Sequence, residues 1–248
     1  MSRRGRAGYE QSARFYDAFD DKDNIDFFLD YGARAKEVLD VGAGTGRIAI
    51  PLAEQGTRVV GVEPSPGMRL QFRRKLEDRP DLHPHVEIVA GDAASFELAG
   101  LFPMALLSGT FDHFVDNEER LASLTNVVRH LEPGGTLLFD VFLGLMEAEP
   151  LAPAGRFREE DWEYRRFVGR QRLPNQRVRI ELVYEVYRTG ALVERIEEAS
   201  IVGITSRDEI HNLLGEVACS IQSEFSDYDQ TPYGEGDDLL IVEATHEP

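Results

Sequence analysis

Residues 38–50 read VLDVGAGTGRIAI, which is an apolar strand, a glycine-rich turn and the start of a helix. The alternate glycines Gly42, Gly44 and Gly46 allow the backbone to approach a ligand closely and to turn sharply into the helix. The N-terminus of that helix presents free N–H groups and the positive end of its dipole to the turn. The motif therefore predicts a ligand site, and since nucleotide, flavin and methyl-donor proteins all use such a turn, it leaves the ligand open.

Strands alternate with helices around this motif. Apolar runs predict strands at residues 37–41, 58–63, 85–90, 104–108 and 136–142. Helical spacing predicts helices at residues 47–55, 66–78 and 117–131, and a helical N-terminal region at residues 9–31 with a break near residues 20–23. Ser65 and Asp116 are the expected caps of two of these helices. Such alternation predicts an α/β fold, a parallel sheet with helices on both faces.

The second half of the chain has a different pattern. Residues 162–205 alternate between apolar and charged side chains, most regularly around Val178, Ile180 and Leu182. Turn residues at 174–175 divide this stretch, as do those at 189–190. The alternation therefore predicts a three-stranded antiparallel meander.

The change of pattern divides the chain into three parts. Residues 1–150 are predicted to form the core with an N-terminal cap helix, and residues 151–205 an antiparallel insertion. Residues 206–248 complete the core sheet, because a capping box at Ser206 and Glu209 predicts one more helix, to residue 214. The last two strands are expected near residues 216–225 and 238–244.

Composition excludes several classes of function. The chain has 248 residues, and its 45 acidic against 27 basic side chains give a net charge of −18. This charge argues against a nucleic-acid-binding surface, which would need clustered lysine and arginine. The single cysteine, Cys219, excludes an intramolecular disulfide and a cysteine-rich metal site, and we expect no metal. No apolar run approaches the length of about 18 residues that spans a bilayer, and no signal peptide is evident, so the sequence predicts a cytoplasmic protein without a membrane partner.

Three further stretches accompany the glycine-rich turn: VVGVEPSPGM with Glu63, VEIVAGDA with Asp92, and HLEPGGTLLFDVF. Together these residues resemble class I S-adenosylmethionine-dependent methyltransferases over essentially the whole chain. The resemblance implies a Rossmann-like seven-stranded sheet in the order 3-2-1-4-5-7-6, with strand 7 antiparallel. It also implies S-adenosylmethionine as cofactor and S-adenosylhomocysteine as product.

The resemblance assigns roles to residues at the ends of the strands. Glu63 would accept hydrogen bonds from the ribose hydroxyls, Asp92 would bind the adenine amino group, and Met68 would pack on the adenine face. Each residue taken alone also fits a simple turn or strand end. The cofactor-binding residues implied are Tyr16, Gly42, Ala43, Gly44, Gly46, Glu63, Pro64, Met68, Asp92, Ala93 and Ser108.

The resemblance also implies that the loop after the fourth strand faces the acceptor. Asp112 and His113 are the only titratable pair in that loop. A general base is required only when the nucleophile arrives protonated. We expect His113 to act as base or acceptor-orienting group with Asp112 as its partner; the alternative is that the two residues only order the loop.

A nicotinamide-dependent dehydrogenase is the closest rival with this fold. Its fingerprint G-x-G-x-x-G fails when started at Gly42, because Arg47 occupies the third glycine position. Started at Gly44 the fingerprint is a tolerable near-match, since Ala49 is allowed at the last position. Asp92 and the EPGG stretch have no place in that scheme, so the methyltransferase interpretation is favoured.

The sequence leaves the acceptor open. The antiparallel insertion is similar to that of enzymes that methylate amino sugars and related amines, which favours a nitrogen or oxygen of a small molecule. Trp162, Tyr164, Tyr184 and Tyr187 are candidates for the roof of the acceptor pocket, or for simple packing of the sheet. The alternatives are a non-catalytic S-adenosylmethionine-binding sensor or structural protein and a protein methyltransferase. A homodimer formed through the insertion is also predicted.

Overall fold

A twisted, mostly parallel sheet carries the predicted motifs at its strand ends. The computed structural model describes residues 9–19, 22–144 and 147–247. Its strands are, in chain order, β1 (Glu37–Val41), β2 (Arg58–Glu63), β3 (Val86–Ala90), β4 (Phe102–Leu107), β5 (Leu131–Phe142), β6 (Glu149–Glu159), β7 (Trp162–Leu173), β8 (Arg177–Arg188), β9 (Ala191–Gly203), β10 (Cys219–Phe225) and β11 (Leu239–His246). Its α-helices are α1 (Ile25–Gly32), α2 (Ala49–Glu54), α3 (Pro66–Glu77), α4 (Asn117–Val128) and α5 (Arg207–Glu216).

The seven strands of the main sheet follow the order β3-β2-β1-β4-β5-β11-β10. Strands β1 to β5 pair in parallel, whereas β11 runs antiparallel to both β5 and β10. This arrangement confirms the predicted order with an antiparallel seventh strand. The strand order reverses between β1 and β4, and the ends of these strands form the crevice where open α/β sheets bind ligands.

The central strands are apolar on both faces because helices cover both. Leu39, Leu106 and Leu138 are completely buried, and they lie in clusters on opposite sides of the sheet. Cys219 is buried in one of these clusters. Burial of both faces leaves only the strand ends and their loops for chemistry.

Local capping interactions start three of the helices at the predicted residues. The Ser65 hydroxyl accepts from the Met68 amide of α3 at 3.1 Å, and the Asp116 carboxylate accepts from the Glu119 amide of α4 at 3.1 Å. The start of α5 is a complete capping box built on Ser206. These contacts satisfy amides that have no partner within the helix.

The N-terminal region differs from the predicted helical stretch. Residues 9–19, hereafter the N-terminal segment, contain two short 3₁₀ turns, Ser12–Phe15 and Asp17–Phe19. The α-helix begins only at Ile25. The predicted break near residues 20–23 falls partly on residues 20 and 21, which lie outside the described residues.

A second, antiparallel sheet of four strands in the order β6-β7-β8-β9 follows the core strands. The sequence predicted three strands, and β6 was missed. The reason is compositional: β6 reads EPLAPAGRFRE, with Pro150 and Pro153 and no alternation, and nearly all of it is exposed. Proline is tolerated there because β6 is an edge strand, where backbone donors are not all needed.

The two faces of this second sheet differ in polarity. Tyr184 is buried on the inner face, against Phe15 and Phe19 of the N-terminal segment at ring distances of 5.7 and 5.6 Å. Tyr187 lies on the outer face, where the Arg165 guanidinium stacks 4.3 Å from its ring centre. The burial of Tyr184 therefore reflects packing of the second sheet on the N-terminal segment. Tyr187 lies on the opposite face, so it does not belong to the predicted roof of the acceptor pocket.

The close approach of Gly46 in the glycine-rich turn to the Phe72 ring can be tested by substitution. Gly46 has φ +79°, and a Cβ there would lie 2.3 Å from the ring of Phe72, which is completely buried. Gly56 has φ +88° with open space around it. We expect Gly56→Ala to lower the free energy of unfolding by about 1–2 kcal/mol through backbone strain alone. Gly46→Ala should lose about 1–3 kcal/mol more, because the buried ring must move.

Urea unfolding followed by circular dichroism measures both losses. Equal losses for the two variants would show that the close contact with Phe72 is not a constraint on the turn.

Candidate functional site

A narrow cavity lies where the loops after β1 and β4 meet. Its volume is about 30 Å³, which is room for about one water molecule. The residues that line it are Tyr16, Asp40, Gly42, Ala43, Gly44, Thr45, Arg47, Ile48 and Ser108. Five of the predicted cofactor residues, Tyr16, Gly42, Ala43, Gly44 and Ser108, are thus brought together.

Two opposite charges share this cavity. Asp40, the residue before the last of β1, is only 2% exposed, and burial raises its pKa to about 7 although Arg47 opposes the rise. The Arg47 guanidinium donates to the Asn24 side chain at 2.5 Å and to Ser108 Oγ at 3.2 Å. Neither Asp40 nor Arg47 was selected from the sequence; the available signal was a carboxylate inside an otherwise apolar strand.

Glu63 joins the loops that follow β1 and β2. Its carboxylate accepts from the Gly44 amide at 2.9 Å and from the Ser65 amide at 2.7 Å. Burial raises the pKa of Glu63, and these two hydrogen bonds oppose the rise. Because each carboxylate oxygen can accept more than one hydrogen bond, the predicted contact with ribose hydroxyls is compatible with this geometry.

The remaining predicted cofactor residues lie along the same edge of the sheet, outside the cavity. The Asp92 carboxylate accepts from the Ala94 amide at 3.0 Å and so orders the turn after β3. The Ala93 carbonyl accepts from the Asn126 side chain at 2.9 Å. Met68 is buried in the first turn of α3, and Pro64 is exposed just before it.

The N-terminal segment lies against the loop after β1 and against α3. The Thr45 hydroxyl donates to the Asp17 carboxylate at 2.6 Å, and Lys75 of α3 forms an ion pair with the same carboxylate at 2.5 Å. The Gly67 amide donates to the Glu10 carboxylate at 3.0 Å. The segment is therefore held on the glycine-rich loop and on the start of α3.

The second sheet holds the opposite side of the same segment. The amides of Gln11 and Ser12 donate to the two carboxylate oxygens of Glu198 in β9, at 2.8 and 3.0 Å. Arg166 of β7 donates to the Phe19 carbonyl at 2.9 Å. The N-terminal segment thus lies between the core and the second sheet, and its Tyr16 lines the cavity.

The loop after β4 forms a 3₁₀ turn, Phe111–His113. Asp112 accepts from the Phe142 amide at 3.3 Å, and burial with the nearby Asp140 carboxylate raises its pKa to about 7. His113 Nδ1 lies 3.2 Å from Ser200 Oγ, and burial lowers the pKa of its ring to about 4. The structure gives the two side chains different partners, so the predicted Asp112–His113 pairing is corrected.

Two further residues near this loop come from distant strands and were not predicted from the sequence. Asp140 of β5 accepts from the Gly109 amide at 2.5 Å and from the Tyr228 hydroxyl at 2.8 Å. Ser200 of β9 stands 87 positions along the chain from His113. Neither residue belongs to a local pattern, so only the packing of the two sheets reveals them.

The described residues contain neither a metal-binding cluster nor a membrane-spanning helix. Within residues 9–19, 22–144 and 147–247, no three or more His, Cys, Asp or Glu side chains are arranged to hold a metal ion. Over the same described ranges, no helix has the length and apolar character needed to cross a membrane.

Comparison with known proteins identifies the core. Residues 38–135 match the family described as methyltransferase domain. A curated relative, the cypemycin N-terminal methyltransferase of a Streptomyces species, is 37% identical over 106 residues, which are 42% of this chain and 41% of that protein. Residues 38–135 therefore form a methyltransferase domain. The match to the curated relative spans only about two fifths of that protein's length.

Solved structures extend the likeness of this methyltransferase domain to the whole fold. An S-adenosylmethionine-dependent methyltransferase from Clostridium acetobutylicum superposes with a TM-score of 0.80 at 16% identity, covering 97% of this chain and 99% of that one. The sugar N-methyltransferase KedS8 from a Streptoalloteichus species superposes at 0.77 with 20% identity, covering 100% and 97%. At these identities the comparison establishes the fold, including the second sheet.

The raised pKa of Asp112 predicts a pH-dependent stability. Because its folded pKa of about 7 lies above the ordinary 3.8, the stabilisation that it gives is complete below that ordinary pKa and is lost as pH rises to 7. Asp112→Asn keeps an oxygen for the Phe142 amide and cannot ionise. We expect it to match the parent at pH 4 and to exceed its free energy of unfolding at pH 8 by on the order of 2–4 kcal/mol.

Urea titrations between pH 4 and 8 measure this difference. Asp81→Asn is the control, because Arg79 lowers the pKa of that exposed carboxyl and the sign is opposite. Its contribution is present above the ordinary pKa and is lost on acidification. Parallel pH profiles for Asp112→Asn and the parent would contradict the assignment.

Proposed function

We propose that this chain transfers the methyl group of S-adenosylmethionine to a nitrogen of a small-molecule acceptor, with oxygen as the less favoured atom. The observation that carries the proposal is the pairing of the methyltransferase motif with a cavity that holds Asp40 and Arg47. The names of similar proteins favour nitrogen, since one relative is an N-terminal methyltransferase and one neighbour a sugar N-methyltransferase.

The donor set of the cavity fits the amino-acid end of this cofactor. That end carries an ammonium and a carboxylate, which complement the Asp40 carboxylate and the Arg47 guanidinium. When bound, the cofactor would supply an electrophilic methyl group: the lone pair of the acceptor nitrogen would form the bond to its carbon, and the electron pair of the broken carbon–sulfur bond would stay on the sulfur of the departing S-adenosylhomocysteine. Glu63 would take the ribose hydroxyls while it holds the Gly44 amide, and Asp92 would lie at the adenine end.

The other residues of the site position the acceptor and exclude water. A nucleophile held in line with the methyl group gains most of its acceleration from that alignment. The His113 ring is neutral at pH 7 because burial lowers its pKa to about 4. A neutral ring can accept a hydrogen bond from an acceptor N–H and so direct the nitrogen lone pair. We therefore assign His113 the orienting role, with the N-terminal segment closing the crevice over the reactants.

A peptide amine is the second candidate acceptor. It is favoured by one observation, the 37% identity to a methyltransferase whose name specifies an N-terminal substrate. The homodimer and the cytoplasmic location also stay predictions, as does the absence of nucleic-acid and membrane partners. A non-catalytic S-adenosylmethionine-binding protein is the outcome if binding occurs without turnover.

The cofactor assignment predicts ligand selectivity. We expect the protein to bind S-adenosylmethionine or S-adenosylhomocysteine and neither NAD nor NADP. Glu63→Ala should weaken binding roughly 10- to 100-fold, because hydrogen bonds to a charged group contribute about 1.5–3 kcal/mol. Asp92→Ala should weaken binding less, since it would contact one amino group.

Titration calorimetry with each ligand tests this prediction. Glu87→Ala is the matched control, because Glu87 is an exposed glutamate on the neighbouring strand β3 and should leave binding unchanged. Nicotinamide binding without methyl-donor binding would overturn the proposed function.

The acceptor assignment predicts turnover with amines. We expect formation of S-adenosylhomocysteine with amino sugars or with peptides that have a free N-terminus, measured by mass spectrometry. His113→Asn should lower kcat about 10- to 100-fold through loss of alignment and leave cofactor affinity unchanged. A variant that keeps full kcat on every amine that the parent accepts would remove His113 from the site.

A further inference from the structure

The turn after β3 is held by the side chain of one buried asparagine. Asn126 lies in α4 and is only 4% exposed. Its amide nitrogen donates to the Ala93 carbonyl at 2.9 Å and to the Phe96 carbonyl at 3.2 Å. Because a carbonyl oxygen can only accept, the nitrogen of this side chain must face both partners, and the two hydrogen bonds use both of its protons. Asn126 therefore ties both ends of the turn to the same helix.

The backbone amides of this turn bond to Asp92. The Ser95 and Phe96 amides donate to the Asp92 carbonyl, each at 2.9 Å. The Ala94 amide donates to the Asp92 carboxylate at 3.0 Å. The carboxylate is thus part of the hydrogen bonding of the turn, and its position depends on that of the turn. Asp92 orders the turn from within, and Asn126 attaches it to α4.

Two residues that follow α4 strengthen this attachment. The Arg129 guanidinium donates to the Phe96 carbonyl at 3.4 Å, and His130 Nε2 accepts from the Leu98 amide at 3.2 Å. The Phe96 ring is 3% exposed and packs on the His130 ring, with 4.6 Å between the ring centres. Residues 93–98 are therefore fixed to the end of α4, and Asn126 makes the contact that lies nearest to Asp92 along the chain.

A carboxylate that is held in place distinguishes an amino group from a carbonyl. An amino group donates to the carboxylate, which can accept this bond while it keeps the one from the turn. A carbonyl oxygen in the same place would set two acceptors against each other and leave both unsatisfied. A carboxylate on a loose turn can move into water and avoid that cost. The discrimination therefore depends on how firmly the turn is held.

We propose that Asn126 is a positioning residue, which fixes the Asp92 carboxylate so that it selects a purine with an amino group over one with a carbonyl. This inference rests on the proposed function, in which Asp92 lies at the adenine end of the cofactor. In this role Asn126 acts through the turn and not by contact with the cofactor. Helix α4 thereby contributes to the choice of cofactor.

Two ligands that differ in one group measure the selection. S-adenosylhomocysteine carries the amino group, and S-inosylhomocysteine carries a carbonyl oxygen in its place. By titration calorimetry we expect the parent to bind the first at least about tenfold more tightly than the second. Asn126→Asp keeps the shape of the side chain but has no amide protons to donate, so it should lower this ratio about 3- to 10-fold. Asn126→Ala removes the same two hydrogen bonds and gives the test even if Asn126→Asp does not fold.

Two further variants separate selection from a general loss of stability. Asp92→Ala removes the carboxylate, and adding Asn126→Ala to it should change the ratio no further, because Asn126 acts through that carboxylate. Ser123→Ala is the matched control, since Ser123 is a polar residue of the same helix and is only 1% exposed. This control should keep the ratio of the parent.

Amide hydrogen exchange of the ligand-free protein measures the turn directly. We expect Asn126→Ala to speed exchange about 3- to 10-fold at the amides of Ala94, Ser95 and Phe96, and to leave the amides of β8 unchanged. Unchanged exchange at these three amides would overturn the proposal, and so would an Asn126→Ala variant with the ligand ratio of the parent. Faster exchange in a protein whose parent binds no S-adenosylhomocysteine would refute the proposed function instead.

Discussion

The two hydrogen bonds that the Glu63 carboxylate accepts are the interactions on which the rest of the candidate site depends. A charged group with only 6% exposure must be satisfied by hydrogen bonds, and it finds them in the amides of Gly44 and Ser65. One amide belongs to the glycine-rich turn after β1, and the other to the cap of α3. A single side chain at the end of β2 thus sets the distance between the two loops that form the floor of the crevice.

The second sheet reaches the candidate site because its apolar face has to be buried against the rest of the chain. Both faces of the main sheet are already covered by helices, so the inner face of β7 to β9 must bury itself against something else. It packs on Phe15 and Phe19, and Glu198 binds the amides at the start of the same segment. This packing holds the N-terminal segment over the cavity and brings Ser200 to the His113 loop. The second sheet, the N-terminal segment and the loop after β4 are therefore held together by this hydrophobic cluster and by the hydrogen bonds beside it.

Buried acids are concentrated at this edge of the sheet in a protein that is already strongly acidic. Asp40 and Asp112 both have pKa values raised to about 7, chiefly because burial disfavours their charged forms. Such groups reduce stability above neutral pH, which is a common cost of functional sites. The opposing charge of Arg47 beside Asp40 limits that cost and gives the cavity two charges of opposite sign.

The sequence by itself determined the core strands, the helix starts at Ser65, Asp116 and Ser206, and the order of the main sheet, because these follow from local patterns and from the methyltransferase motifs. It determined the residues of the glycine-rich turn for the same reason. Only the tertiary structure decided the partners of Asp112 and His113, the fourth strand β6 and the outward position of Tyr187. Hydrogen bonds such as that between His113 and Ser200 join residues 87 positions apart, and they leave no periodicity or capping signal in either segment. Those contacts exist only because two sheets pack across the N-terminal segment.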